Sequence, residues 1–123
     1  MEFSKLGKPA RGPSKDLDTF PKPKGVNLVR FSSSELTSLC PVTGQPDFST
    51  VVIEYEPDAL CIESKSLKLY LWSFRDENHF AESLASTIAH DVAEVIRPVW
   101  VKVEIRQAIR GGLQLTAVAE VKD

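Results

Sequence analysis

HFAESLASTIAHDVAEVIRPVWVKVEI, residues His79 to Ile105, changes its hydrophobic period part-way along. Phe80, Leu84, Ile88, Val92 and Val95 recur at spacings of four, four, four and three, the period of a helix with one apolar face. Pro98 stops that helix, because its ring removes a backbone donor and clashes with the turn behind it. From Val99 the period becomes two. Val99, Val101, Val103 and Ile105 alternate with Lys102, Glu104 and Arg106, the pattern of a strand with one buried face. The spacing therefore predicts a helix over 79–96 that passes directly into a strand over 99–105.

The same two periods organise the rest of the chain. Downstream, Arg110-Gly111-Gly112 reads as a hairpin turn and Leu113–Val121 alternates again. Upstream, Ser64 or Ser66 can cap a helix running to about Arg75, with Leu67, Leu71 and Phe74 as its apolar stripe. Phe48–Glu56, rich in β-branched and aromatic residues, reads as a strand ended by Pro57 and Asp58. Ser32–Pro46 is polar and carries Pro41, Gly44 and Pro46, so it reads as a structured loop. Val26–Phe31 reads as a first strand. The order β-β-α-α-β-β argues an α+β domain with two helices on one face of an antiparallel sheet. Such a sheet has two open edges, which oligomerisation often closes. Residues 1–24 hold four of the eight prolines, six basic residues and three acidic ones. They read as a flexible N-terminal tail ahead of one domain over 25–123.

Bulk composition narrows the function classes. A length of 123 residues fits one domain able to bury a core without staples. A formal charge of −2 argues against a general nucleic-acid binder, which needs a basic surface. No apolar run approaches the roughly 20 residues that span a bilayer, and MEFSKLGKPARGP lacks the apolar region of a secretory signal. Cys40 and Cys61 then read as free thiols in a reducing cytoplasmic setting.

Two stretches carry chemistry. In Leu39–Asp47, a cysteine and an aspartate lie seven residues apart across a Pro/Gly turn. Cys40 stands in a loop rather than on a core strand, and the sequence fits a nucleophile and a structural thiol equally well. Asp47 reads either as a turn residue or as the acid or base serving Cys40. In Glu63–Tyr70, Lys65 and Lys68 share a helix face. A solvated face is the ordinary reading. Both, however, sit in the first turns, where lysine opposes the helix dipole. With open helix N–H groups they would make a phosphate site. Glu82 reads as a helix N-terminal acid, or as a carboxylate accepting paired N–H bonds from a heterocycle. His79 and His90 have no metal-ligand spacing and read as surface residues of the helix, with no metal expected.

Taken together, these residues resemble the QueF family, the NADPH-dependent nitrile reductases of queuosine biosynthesis. The resemblance covers about Glu35 to Gly112. Thr37-Ser-Leu-Cys-Pro-x-Thr-Gly-Gln-Pro-Asp-Phe48 is similar to the family's nucleophile loop and Glu63–Tyr70 to its cofactor signature, while Ser73–Arg75 and Arg110–Gly112 also match. The resemblance implies a tunnelling fold (T-fold) assembled as a homo-oligomeric ring, commonly pentamers stacked into a decamer, with active sites between subunits. It implies reduction of 7-cyano-7-deazaguanine to the 7-aminomethyl compound with two NADPH.

The resemblance also implies roles. Cys40 would add to the nitrile carbon as a covalent thioimide, and Asp47 would protonate the nitrile nitrogen. Lys65 and Lys68 would hold NADPH phosphate. Glu63 and Ser64 would flank the substrate, and Glu82 would read its guanine-like edge. One position departs. The family's Phe-His-Glu is Phe80-Ala81-Glu82 here, so a histidine expected to assist proton transfer is absent. That departure admits a second chemistry, in which ammonia attacks a thioimide on a tRNA-bound deazaguanine without NADPH, though the lysine signature counts against it. A non-catalytic ligand-binding ring protein is a third reading, disfavoured by the presence of both Cys40 and Asp47.

Overall fold

A computed structural model describes residues 12–122. In chain order the elements are β1 (Thr19–Pro21), β2 (Val29–Leu39), β3 (Pro46–Glu56), β4 (Leu60–Ile62), α1 (Ser64–Trp72), α2 (Ala81–Ile96), β5 (Trp100–Gln107) and β6 (Thr116–Lys122). Four strands form an antiparallel sheet in the order β2-β3-β5-β6, and β1 pairs separately with β4. Both helices fall between β3 and β5 in sequence and pack on one face of the sheet.

The register explains why that face is the core. Val51, Ile53 and Tyr55 of β3 sit opposite Ile105, Val103 and Val101 of β5, and all six are essentially inaccessible. Ala117, Ala119 and Val121 of β6 continue these rows. Leu84, Ile88, Val92 and Ile96 of α2 cover them. The expected helical stripe is rotated: Phe80 and Val95 are exposed, while Ala81, Ala85 and Ala89 are buried. Small residues let the helix approach the sheet closely, so the alanines mark the contact line as much as the large residues do. Tyr70 Oη donates to Asp91 Oδ2 at 2.6 Å and ties α1 to α2.

Several sequence expectations change. Ser32–Leu39 belongs to β2 rather than to a loop, because its backbone pairs with β3 from Leu36↔Ser49 to Leu39↔Pro46. A bulge between Ser33 and Leu36 shifts the register. That shift turns Leu36 and Ser38 inward, 2% and 1% exposed, where strict alternation from Phe31 would have turned them out. The first strand begins at Val29 rather than Val26.

The tail expected over 1–24 is instead part of the body from residue 14 onward; residues 1–11 lie outside the described residues. Ser14 N donates to Leu69 O, and Glu63 N donates to Asp18 O at 2.9 Å. Asp18 N donates to Ser66 Oγ, also at 2.9 Å. Thr19–Pro21 then pairs with Leu60–Ile62. Main-chain pairing of this kind needs no apolar side chains, so composition concealed it.

The cap of α1 is Glu63, not a serine. Its carboxylate accepts from Lys65 N at 2.7 Å and from Ser66 N at 2.8 Å. Ser66, fully buried, donates its hydroxyl to Glu63 O.

Candidate active site

Cys40 occupies the turn joining β2 to β3. Its N–H donates to Gln45 O at 2.8 Å, and its carbonyl accepts from Gly44 N at 2.9 Å. Gly44 has φ 73, a left-handed conformation that glycine adopts without steric cost. The hairpin bends back so that the Thr43 hydroxyl and the backbone N–H groups of Thr43 and Val42 all reach the Cys40 sulfur. These donors favour the thiolate and outweigh both the little burial the thiol has and the negative charge of nearby Asp47, so the thiol ionises below its ordinary range. Thr43 Oγ1 is itself fixed by Gln45 N, which donates to it at 3.2 Å. Cys61, by contrast, is buried beside Tyr55, and neither cysteine is in a disulfide.

Asp47 is brought to the same turn. Ser38↔Asp47 and Leu39↔Pro46 are opposed pairs of the β2–β3 ladder, and the Asp47 charge is felt at Cys40. Asp47 is 9% exposed. Arg110 Nη1 donates to Asp47 Oδ1 at 2.7 Å, and Nη2 donates to Pro46 O. Arg110 comes from the tight turn in which Gly111 and Gly112 both have positive φ. Two such residues in succession are the signature of a primed hairpin turn. The sequence marked the turn but not the guanidinium it delivers. Ser38 and Ser49 flank Asp47 on the buried side, and the Ser49 hydroxyl has no hydrogen-bond partner among the described residues.

The N-terminus of α2 is fastened to the same hairpin. Leu39 N donates to Glu77 O at 2.8 Å, and His79 N donates to Leu39 O at 3.0 Å, with Asn78 bridged to Leu39 in parallel. Glu82 is exposed on the first turn of α2, three residues past His79, whose N–H is bonded to Leu39. Ala81 is 2% exposed and belongs to the core. His79 is not the surface helical residue expected. It precedes the helix, lies edge-on to Phe74 with centroids 5.5 Å apart, and has Nε2 3.0 Å from Glu77 Oε1. His90 remains exposed on α2. Among the described residues no group of three His, Cys, Asp or Glu could hold a metal ion.

Between α1 and strands β2 and β3 runs a groove of about 870 Å³, within the range of small-molecule sites. Ser64, Lys68 and Trp72 of α1, with Arg75 from the turn after it, line one wall, and Thr37, Phe48 and the Ser32–Ser34 bulge line the strand wall. Thr37 and Phe48 adjoin Ser38 and Asp47, so one end of the groove approaches the cysteine hairpin. Lys65 is half-buried outside the groove wall. Glu63 is committed to capping, so the open helix N-terminus expected beside the lysines is already occupied by a carboxylate. Trp72, four residues beyond Lys68 on α1, supplies an exposed ring, and Arg75, in the turn that follows the helix, supplies a second cation to the same wall. Helical spacing from Lys68 was the available signal for both.

The ease with which Cys40 ionises has a direct consequence. Its alkylation by iodoacetamide is expected to rise with pH through a midpoint below that of an ordinary thiol. Thr43→Val, which removes the hydroxyl donor, is expected to move that midpoint upward. Stopped alkylation followed by intact-mass analysis reads both. An unshifted midpoint in Thr43→Val would show that the hydroxyl does not act on the sulfur.

Known proteins resemble this chain in sequence and in fold. A family model described as "QueF-like protein" matches residues 46–123. The chain is 48% identical over 115 residues to the NADPH-dependent 7-cyano-7-deazaguanine reductase of Nitratidesulfovibrio vulgaris, covering 91% of this chain and 70% of that protein. It is 46% identical over 119 residues to the protein of that name from Syntrophus aciditrophicus, covering 95% and 84%. Against the like-named protein of Alkalilimnicola ehrlichii identity is 46% over 110 residues, with 88% and 85% covered. The crystal structure of the archaeosine synthase QueF-Like in the apo form superposes with a TM-score of 0.74 at 28% identity, covering 79% of this chain and 95% of that one.

Proposed function

The chain belongs to the QueF-like family, and from that premise we propose that it is an NADPH-dependent 7-cyano-7-deazaguanine reductase, an oxidoreductase that converts the nitrile to the aminomethyl group. The observation that carries the reading is the Cys40 hairpin. A thiol held towards its ionised form, with a carboxylate charge acting on it, is equipped to capture a nitrile.

Cys40 sulfur forms a bond to the nitrile carbon as one π bond of the C≡N group opens, giving a thioimide. The proton lost by the thiol is the one the nitrile nitrogen gains, and Asp47, whose charge is felt at the thiol, carries it. Arg110, bound through Oδ1, fixes the orientation of that carboxylate. Capture makes chemical sense, because a thioimide accepts hydride more readily than a nitrile. NADPH, when bound, would supply a hydride for each of the two reductions, which with two protons make up the four electrons needed and free the thiol. Glu82 accepts the paired N–H groups of the heterocycle, while Ser64 on the groove rim and the Glu63 cap that places it flank the ring. Lys68, with Lys65 next to it, takes NADPH phosphate. The groove fits such a ligand, offering cations at Lys68 and Arg75 and apolar rings at Trp72 and Phe48.

The same reading includes a homo-oligomeric ring, a cytoplasmic setting and no direct nucleic-acid partner. Among the described residues no helix is long and apolar enough to cross a membrane. NADPH oxidation by the purified protein, measured with and without 7-cyano-7-deazaguanine, tests the activity. Oxidation that requires the nitrile, at two cofactors per product, is the expected result. It would show that Ala81 is tolerated where the resemblance leads one to expect a histidine. Capture without oxidation would overturn the reductase reading in favour of ammonia addition.

A further inference from the structure

Lys15 and Glu77 have no part in the chemistry above, yet they are joined to it. Lys15 Nζ lies 2.9 Å from Glu77 Oε2 and 3.4 Å above the centroid of the Phe74 ring. The other Glu77 oxygen, Oε1, lies 3.0 Å from His79 Nε2. Burial of Glu77 opposes its ionisation, but the His79 and Lys15 contacts prevail and hold its carboxyl below the usual range. The main chain of these same residues clasps the nucleophile hairpin: Glu77 O accepts from Leu39 N, and Leu39 O accepts from His79 N. Leu39 immediately precedes Cys40, and Glu82 follows His79 by three residues. The Glu77–His79 stretch is therefore the hinge piece between the thiol and the carboxylate proposed to hold the heterocycle.

We infer that Lys15, acting through Glu77 and His79, is a positioning residue that sets Cys40 against the N-terminus of α2. The inference rests on the proposed reductase reading for its kinetic consequence, though not for its geometry. The contacts come from three separate segments: residues 14–15 from the N-terminal strap, Tyr70–Phe74 from the end of α1 and its following turn, and Glu77–His79 from the approach to α2. Ser14 N, donating to Leu69 O, holds the strap in place beside Lys15. Both members of the Lys15–Glu77 pair are over 40% exposed, and exposed pairs add little to stability. Their consequence is the alignment of groups that must meet one substrate, where small displacements are costly to rate.

The test compares the full wild-type chain with Lys15→Met, Lys15→Arg and Glu77→Gln. Three quantities are measured: formation of the Cys40 adduct with 7-cyano-7-deazaguanine, alkylation of Cys40 by iodoacetamide, and hydrogen exchange of the peptides spanning 39–45 and 78–82. In Lys15→Met, nitrile capture is expected to slow about tenfold, exchange in both peptides to rise, and iodoacetamide alkylation to stay unchanged. Lys15→Arg is expected to restore capture. A loss of structure alone would move both thiol reactions together and shift the melting temperature. Wild-type capture and exchange in Lys15→Met would overturn the inference, as would a parallel fall in both thiol reactions. Should Lys15→Met fold poorly, Glu77→Gln reads the same network. If the wild-type chain forms no adduct with the nitrile, the reductase reading has failed, and exchange alone then decides the positioning role.

Discussion

Cys40→Ala is expected to abolish both the covalent adduct and nitrile-dependent NADPH oxidation, a loss on the order of 10⁴-fold or more when a nucleophile is removed. The turn that carries Cys40 is held by main-chain bonds, Cys40 N to Gln45 O and Gly44 N to Cys40 O, which alanine keeps. The side chain itself is only partly buried, so its removal leaves no large cavity. The folded chain, its melting temperature and its affinity for NADPH should therefore be unchanged. Cys61→Ala is the matched control: that thiol is 3% exposed beside Tyr55, remote from the hairpin in sequence and on a different strand. It is expected to keep turnover while losing some stability. Intact-mass analysis with the nitrile in the absence of NADPH, beside cofactor oxidation, reads both variants. Turnover surviving in Cys40→Ala would sink the assignment of the nucleophile and with it the covalent route.

The parts of this molecule that were legible in its sequence are those written in side-chain periodicity. The strict alternation of β5, the period of α2 and the turn at Gly111 and Gly112 each describe a local element whose side chains face one core, and each is present. What periodicity could not carry was backbone pairing. Ser32–Leu39 looks like a loop because its residues are polar, yet its N–H and C=O groups pair with β3. Residues 14–21 look like a tail because the stretch 1–24 that contains them is rich in proline and basic residues, yet they hold α1 and β4 by main-chain bonds. Edge and strap segments need few apolar residues, since their neighbours supply the burial.

The site divides in the same way. Cys40 and Asp47 could be singled out because a Pro/Gly turn lies between them. Arg110, 63 positions beyond Asp47, and the three donors on the Cys40 sulfur depend on how the chain folds back, which spacing does not encode. Glu63 was read for its place in a signature, whereas its two oxygens are engaged by the helix it begins.

Asp47→Asn separates the two roles proposed at the hairpin, because it should move two reactions of one sulfur in opposite directions. Asparagine has the shape of aspartate and its carbonyl can still accept from Arg110 Nη1, so the 2.7 Å contact has a replacement. It cannot carry a proton. Nitrile capture needs a proton delivered to nitrogen as the carbon–sulfur bond forms, and losing such a group typically costs about 10²–10⁴-fold. Alkylation by iodoacetamide needs only the thiolate. The Asp47 charge works against that thiolate, so its removal should favour the ionisation of Cys40 further and leave alkylation at neutral pH equal or faster. Arg110, no longer neutralised, acts in the same direction. The expected signature is thus capture slowed by at least about a hundredfold, with alkylation undiminished and its midpoint displaced to lower pH. If both reactions fall together, Asp47 is holding the hairpin rather than transferring the proton. If capture is unchanged, the proton comes from another group and the general-acid role is lost. Either departure would leave Cys40 as the nucleophile, since the donors from Val42 and Thr43 that favour its thiolate do not pass through Asp47.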